Sequence, residues 1–352
     1  MLERRSKKGL ADLITEISDV IRVCRVLCIV PVAYVHVTLG EGVTPIGAAL
    51  RGVFRDLLGR SSVLLLSIVS GLLMVRVFAT RGYGRGVWGR VQGLVVPMVA
   101  WNLLAIGLST LMGRPIASEG INAVFAVTDH GATRPLTFLR DLFVVSLATP
   151  ILVVAIRRAG LWLLVPLALA GGFVSTKPIL AHSQILSYFA VGVGFGVLRL
   201  ERLRVVQWGA RVAPWLLLVL AALSAARPFV DALSFMDRNA FDALVRRPVC
   251  AASFWVLSAH LVRWDGFKRL VVRWLEPAIF AMFLSHSVVL HLLRQGLLST
   301  GVRNPVVGLA VWLALPLVSL GIAVAGQRAM LWMPDVLHRV FLGKPKPKRS
   351  SA

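Results

Sequence analysis

Apolar segments near the length that crosses about 30 Å of hydrocarbon recur from one end of this chain to the other. They cover Val20–Leu39, Ser61–Phe78, Val91–Met112, Leu139–Ile156, Leu161–Ser175, Ile185–Leu198, Val212–Ala226, Val249–Val262, Pro277–Leu293 and Val306–Gly326. No long polar stretch interrupts the series. In lipid, each segment must satisfy its backbone N–H and C=O groups internally. The pattern therefore predicts an all-α integral membrane protein, a bundle of about ten transmembrane helices. The fifth, sixth and eighth segments fall short of the usual ~20 residues and read as re-entrant hairpins or as spans that begin within flanking charged sequence. With 57% hydrophobic and 16% charged residues and a mean hydropathy of +0.78, the chain has more apolar surface than a soluble core of 352 residues can hide. The expected organisation is a cytoplasmic N-terminal segment over 1–19, one transmembrane domain over 20–328 and a basic cytoplasmic tail over 329–352.

A net charge of +23 raises nucleic acid as a partner, but the distribution of that charge points elsewhere. With ten spans and Arg25 inside the membrane, both termini and the loops on their side hold 25 Lys and Arg, while the loops on the other side hold 13. Acidic residues divide evenly, 8 and 8. An asymmetry carried by Lys and Arg alone is the positive-inside pattern. Both termini are then cytoplasmic, the loops Leu39–Arg60 and Ala226–Pro248 are external, and no nucleic-acid partner is expected. The end "GKPKPKRSSA" reads as a disordered basic tail near anionic headgroups, and the first apolar run, with no small-residue cleavage site after it, reads as a retained signal anchor. Cys24, Cys28 and Cys250 fall in or beside spans, where packing is their expected role rather than a disulfide or a metal site. HExxH, GxSxG and Walker motifs are absent; "VGVGFG" at Val191–Gly196 lies in a span, where small residues let helices approach closely.

The first span is the most informative. In "RVLCIVPVAYVH", Arg25 and His36 are 11 residues apart, which puts them within ~20° of one helical face and ~16 Å apart along the axis. Pro31 between them kinks the helix. A charge deep in lipid costs ~2.5 kcal/mol or more, so this stripe should face the bundle interior or a water-filled cavity. The plainer alternative is that Arg25 snorkels to headgroups and His36 makes an interhelical hydrogen bond.

These residues resemble those of the acyltransferase family 3 of bacterial integral membrane proteins, which modify sugars and polysaccharides. In that family the first helix carries an Arg, ten intervening residues and a His, here Arg25 and His36. The span "LLLSIVSGLLM" resembles the family's second helix at Ser70 and Gly71, and "RGVWGRVQGLVVPMVAWNLL" its basic turn and Pro- and Trp-containing third helix. "FLRDLFVVSLATPIL" and "FLSHSVVLHLL" are similar to the fourth helix and to a late His-bearing helix. Two departures stand out: Phe138, Leu139, Arg140 and Asp141 replace a Trp-Phe-Leu-like cluster, and Arg85 and Arg90 are spaced more widely than the family's paired Arg.

The resemblance implies a transferase of groups other than aminoacyl groups, in the bacterial cytoplasmic membrane, moving a short acyl group, acetyl by default, from acyl-CoA to a saccharide hydroxyl. CoA phosphates cannot enter lipid, so cations must hold them at the inner mouth, and the fork of a guanidinium suits phosphate. Arg25 is the first candidate, followed by Arg90 and Arg85. A sugar hydroxyl needs a positioned base, and imidazole titrates nearest the working range. His36 takes that role, or that of an acyl-accepting nucleophile. Glu41, Asp141 and His286 are the residues that could support the acceptor. His130 and His182 read as solvent-exposed, and His291, about 140° around the helix from His286, as structural. No metal is implied; the partners are membrane lipids, acyl-CoA and the saccharide. The rival reading is a transporter or flippase, which usually carries acidic residues or paired broken helices near the midplane.

Overall fold

The computed structural model describes residues 2–37, 44–113, 120–127, 131–173, 182–200, 203–230, 233, 241–299 and 304–346, leaving aside the side chains of 2–16, 172–173, 243 and 298–299. Among these residues there is no strand. The main helices are α1 (Leu2–His36), α2 (Pro45–Arg81), α3 (Tyr83–Leu111), α4 (Thr137–Leu147), α5 (Thr149–Ala159), α6 (Leu161–Phe173), α7 (Ser183–Leu198), α8 (Arg204–Ala226), α9 (Arg247–Leu261), α10 (Asp265–Leu297), α11 (Pro305–Met330) and α12 (Asp335–Leu342).

Five of them, α2, α3, α8, α10 and α11, are long and apolar enough to cross a membrane; the bent pair α4/α5 makes a sixth. The other apolar stretches are helical over their described residues but do not meet both conditions. The apolar part of α1 begins among Asp19, Arg22 and Arg25, α9 has only 15 residues, and α6 and α7 are short.

Proline explains much of the local geometry. Its ring collides with the carbonyl four residues back and supplies no N–H, which ordinarily breaks or kinks a helix. Three π-helical turns, Val91–Val95, Asp242–Arg246 and Val271–Leu275, each end two residues before a proline: Pro97, Pro248 and Pro277. The widened turn absorbs the clash and lets α3 and α10 run on. No such turn precedes Pro150, and there α4 and α5 meet at 58°; Pro31, expected to kink the first helix, and Pro166, Pro214 and Pro316 lie inside helices that continue past them without such a turn. The Ser146 carbonyl that Pro150 cannot reach is taken instead by the Thr149 hydroxyl, at 2.8 Å.

The tightest helix contact joins α2 to α7. A Cβ on Gly192 would run into the Ile68 carbonyl, and one on Gly71 into that of Phe189; this is the close approach expected of the glycines in Val191–Gly196. Cys24, Cys28 and Cys250 are free, buried, and packed in one cluster with Val69 and Tyr188.

α1 and α10 run parallel. Arg25 meets Glu276 at 3.7 Å, and eleven residues along α1 His36 meets His286, ten residues along α10, with ring centroids 5.2 Å apart. The two helices thus match at two levels ~15 Å apart.

Candidate active site

At the His36 level, the last turn of α1 is held from α11. A helix end leaves carbonyls without intrahelical partners. The Trp312 indole N–H fills one, donating to the Val37 carbonyl at 3.2 Å, and the Tyr34 hydroxyl donates in return to the Leu313 carbonyl at 2.9 Å. Tyr34 also packs its ring against Trp312 and Phe54, centroids 5.1 and 5.2 Å away. Trp312 is fully buried, so the backbone that carries His36 has little freedom.

His286 is equally constrained. It is 1% exposed, and its Nδ1 faces the Phe283 and Met282 carbonyls at 2.7 and 3.2 Å. Two carbonyls can only accept, so Nδ1 carries a proton, and in the neutral ring Nε2 holds the lone pair. That Nε2 has no hydrogen-bond partner among the described residues. Beside this pair a half-open cavity of about 350 Å³ is lined by His36, Ser109, Thr133, Ser287, His291 and Arg294, among others. Arg55 and Arg134 are the cations near enough for their charges to act on His36.

One wall of the cavity is a loop fastened by two buried side chains. The Asn102 amide donates to the Val124 carbonyl at 2.8 Å, and its oxygen accepts the Thr133 N–H at 3.1 Å. The Arg140 guanidinium donates to the carbonyls of Ala126 and Val127. Asp141, 0% exposed, holds Arg140 in turn, at 2.8 and 2.5 Å, and accepts from His182 Nδ1 at 2.5 Å. A fully buried carboxylate requires such partners.

At the Arg25 level the chemistry is ionic. Arg25 is half-exposed and pairs with Glu276; Arg90 donates its Nε–H to the Met74 sulfur and lies close enough to Arg25 for the two charges to interact. Nearby, Lys268 and Arg22 both reach Asp19, at 3.1 and 3.5 Å. Lys344 keeps surface access, yet partial desolvation of its ammonium lowers its pKa; Glu276 opposes the shift and Arg25 adds to it.

The acyltransferase domain of family 3 matches residues 19–327, most of the chain. The protein belongs to the acyltransferase family 3. It is a multi-pass membrane protein and an acyltransferase. No curated protein and no solved structure matches the chain.

The structure of this acyltransferase brings several sequence-derived residues together and separates others. His36 joins His286, and Arg25 joins Arg90, while Arg85 stays exposed on α3. Asp141 pairs with its neighbour Arg140, as the sequence allowed, and also meets Nδ1 of His182, whose side chain stays 39% exposed, as expected. His291 lines the His36 cavity. Glu41 and His130 lie outside the described residues. Sequence reasoning missed Arg55, Arg134, Asn102 and Trp312. Of these, a tryptophan and an asparagine inside apolar segments were the visible signals, since a buried indole N–H or amide needs a partner.

Proposed function

We propose that this protein is a membrane O-acyltransferase that moves a short acyl group, acetyl by default, from cytoplasmic acyl-CoA to a hydroxyl of an extracytoplasmic or lipid-linked saccharide. The observation that carries this reading is the two-level match of α1 and α10, with cations at one level and an imidazole pair beside a cavity at the other. A phosphorylated thioester on a long arm needs its anionic end and its reacting end held apart. Arg25 and Arg90 bind the phosphates, with Arg85 at the rim.

His36 takes the proton of the acceptor hydroxyl as its oxygen attacks the acyl carbonyl. The C–S bond breaks and the CoA thiolate leaves toward the cytoplasm. His286, its Nε2 an acceptor, packs against the His36 ring and orients it. Arg55 and Arg134 stabilise the negative charge that develops on the carbonyl oxygen. The variant in which His36 itself attacks the thioester differs in leaving an acylated enzyme. Asp141 acts at one remove, through Arg140 and the loop that walls the cavity; Glu41 belongs to the acceptor side. The bundle has about ten spans and both termini in the cytoplasm of a bacterial inner membrane.

The test is acyl-CoA consumption by purified protein, coupled to mass analysis of cell-surface glycans made with and without it. Consumption together with an acyl mass on the glycan is the expected result. A protein that altered surface glycans without ever consuming acyl-CoA would be a carrier. Outside labelling of an engineered cysteine at Ser350 in intact cells would overturn the topology.

A further inference from the structure

Composition makes the basic C-terminal stretch look loose, but its first residues are fastened. The buried face of α12, His338 and Leu342, lies on the bundle, and the Trp101 indole on α3 donates to the Phe341 carbonyl at 3.1 Å. Gly343 ends the helix at φ +64°, a left-handed conformation that favours glycine. A Cβ there would sit 2.8 Å from Gly93 and 3.0 Å from Pro97. Beyond it the chain folds back: His338 Nδ1 donates to the Lys344 carbonyl at 2.7 Å, and Asp335 accepts the Lys346 N–H at 2.9 Å. Residues 343–346 therefore form a strap rather than a free tail.

The strap has a consequence for charge. Gly343 touches Gly93, three residues past Arg90, so Lys344 stands beside the point where α1 brings Arg25 and α10 brings Glu276. Three cations converge there from three separate elements, with Glu276 as the carboxylate among them. Such a surplus of positive charge, facing a single acid, is a site for a multiply charged anion.

We propose that Lys344 is the third cation of a phosphate site with Arg25 and Arg90, and that the strap built on Gly343 delivers it there. The inference rests on the acyl-CoA reading above. CoA carries several phosphate groups, more than two guanidiniums can engage. Phosphate at this cluster could also come from a lipid headgroup, and the test separates the two sources.

The experiment uses the full chain in lipid nanodiscs and measures binding of unacylated CoA. Lys344→Gln should weaken binding about tenfold, the loss of one charge-assisted contact, while Lys344→Arg stays within about threefold of the parent. Gly343→Ala should weaken binding similarly without removing a charge, because it displaces the strap. Should Gly343→Ala fail to fold, Lys344→Gln at an unchanged melting temperature decides alone. Parent-like CoA affinity in Lys344→Gln would overturn the proposal. A loss seen in phosphatidylglycerol discs and absent from phosphatidylcholine discs would also overturn it, by assigning Lys344 to headgroups. If the parent itself bound no CoA, the donor reading would fall first and the strap's role with it.

Discussion

The two ends of the α1/α10 pair are built on opposite physical terms. Around His36 the groups are buried or half-buried imidazoles whose backbone and ring positions are fixed by Trp312, Tyr34 and the Phe283 carbonyl. Around Arg25 the groups are long, partly exposed and ionic, and their present partner is a carboxylate. Rigidly held groups suit a step where a misplacement of an ångström is costly. Flexible charged ones suit the capture of a ligand that arrives with its own charges and must leave again. The difference separates chemistry from capture along one helix pair, and substitutions can break or sharpen it.

The largest effect is expected at His36. His36→Gln keeps size and hydrogen-bonding capacity but cannot take a proton at neutral pH, so acyl transfer should fall ~10²-fold or more while CoA binding is unchanged. Full turnover in this variant would remove His36 from the chemistry and leave His286 as the next residue to test. If CoA binding fell as steeply as turnover, the two ends would not be separate at all.

A smaller effect is expected at the other end. Arg25→Ala should raise the donor KM about tenfold, and Arg25→Lys should recover part of that, since the ammonium keeps the charge and loses the planar fork. An unchanged donor affinity would transfer the phosphate role to Arg90.

The smallest effect is the one whose sign says most. Glu276 now occupies Arg25 and must be displaced when phosphate arrives. Glu276→Gln should therefore tighten CoA binding by about two- to fivefold, and more at low ionic strength, where screening is weak. Weaker binding in this variant would instead make Glu276 the residue that positions Arg25.

Legibility in the sequence followed the same division. Whatever depends on periodicity within one helix could be read: the 11-residue step from Arg25 to His36, the small residues at Val191–Gly196, and the apolar stretches themselves. Whatever depends on the register between helices could not. The alternation of spans makes the first and ninth run in the same direction, but nothing in one sequence says that α1 and α10 pack side by side and in step, which is what joins His36 to His286. The contact of His182 with Asp141 is hidden for the same reason, since the two lie 41 residues apart at different helices. The C-terminal strap misled on composition: Lys and Pro read as disorder, whereas a glycine against Gly93 and a buried histidine hold it in place.

Two of the π turns also bear on how chains of this kind can change in length. Val91–Val95 begins immediately after Arg90, and Val271–Leu275 ends immediately before Glu276. A π turn is an α-helix carrying one extra residue, taken up in a single widened turn so that the helix on either side keeps its phase. Arg90 stays aligned with Arg25, and Lys268 and Glu276 with Asp19 and Arg25, around that extra residue. Deleting one residue within either turn should leave plain α-helix with its flanks near their present orientation, whereas one residue more or fewer in the ordinary α-helix beside it would turn one flank by about 100° and part these pairs. Length is thus adjustable by one residue at these two turns and fixed on either side of them.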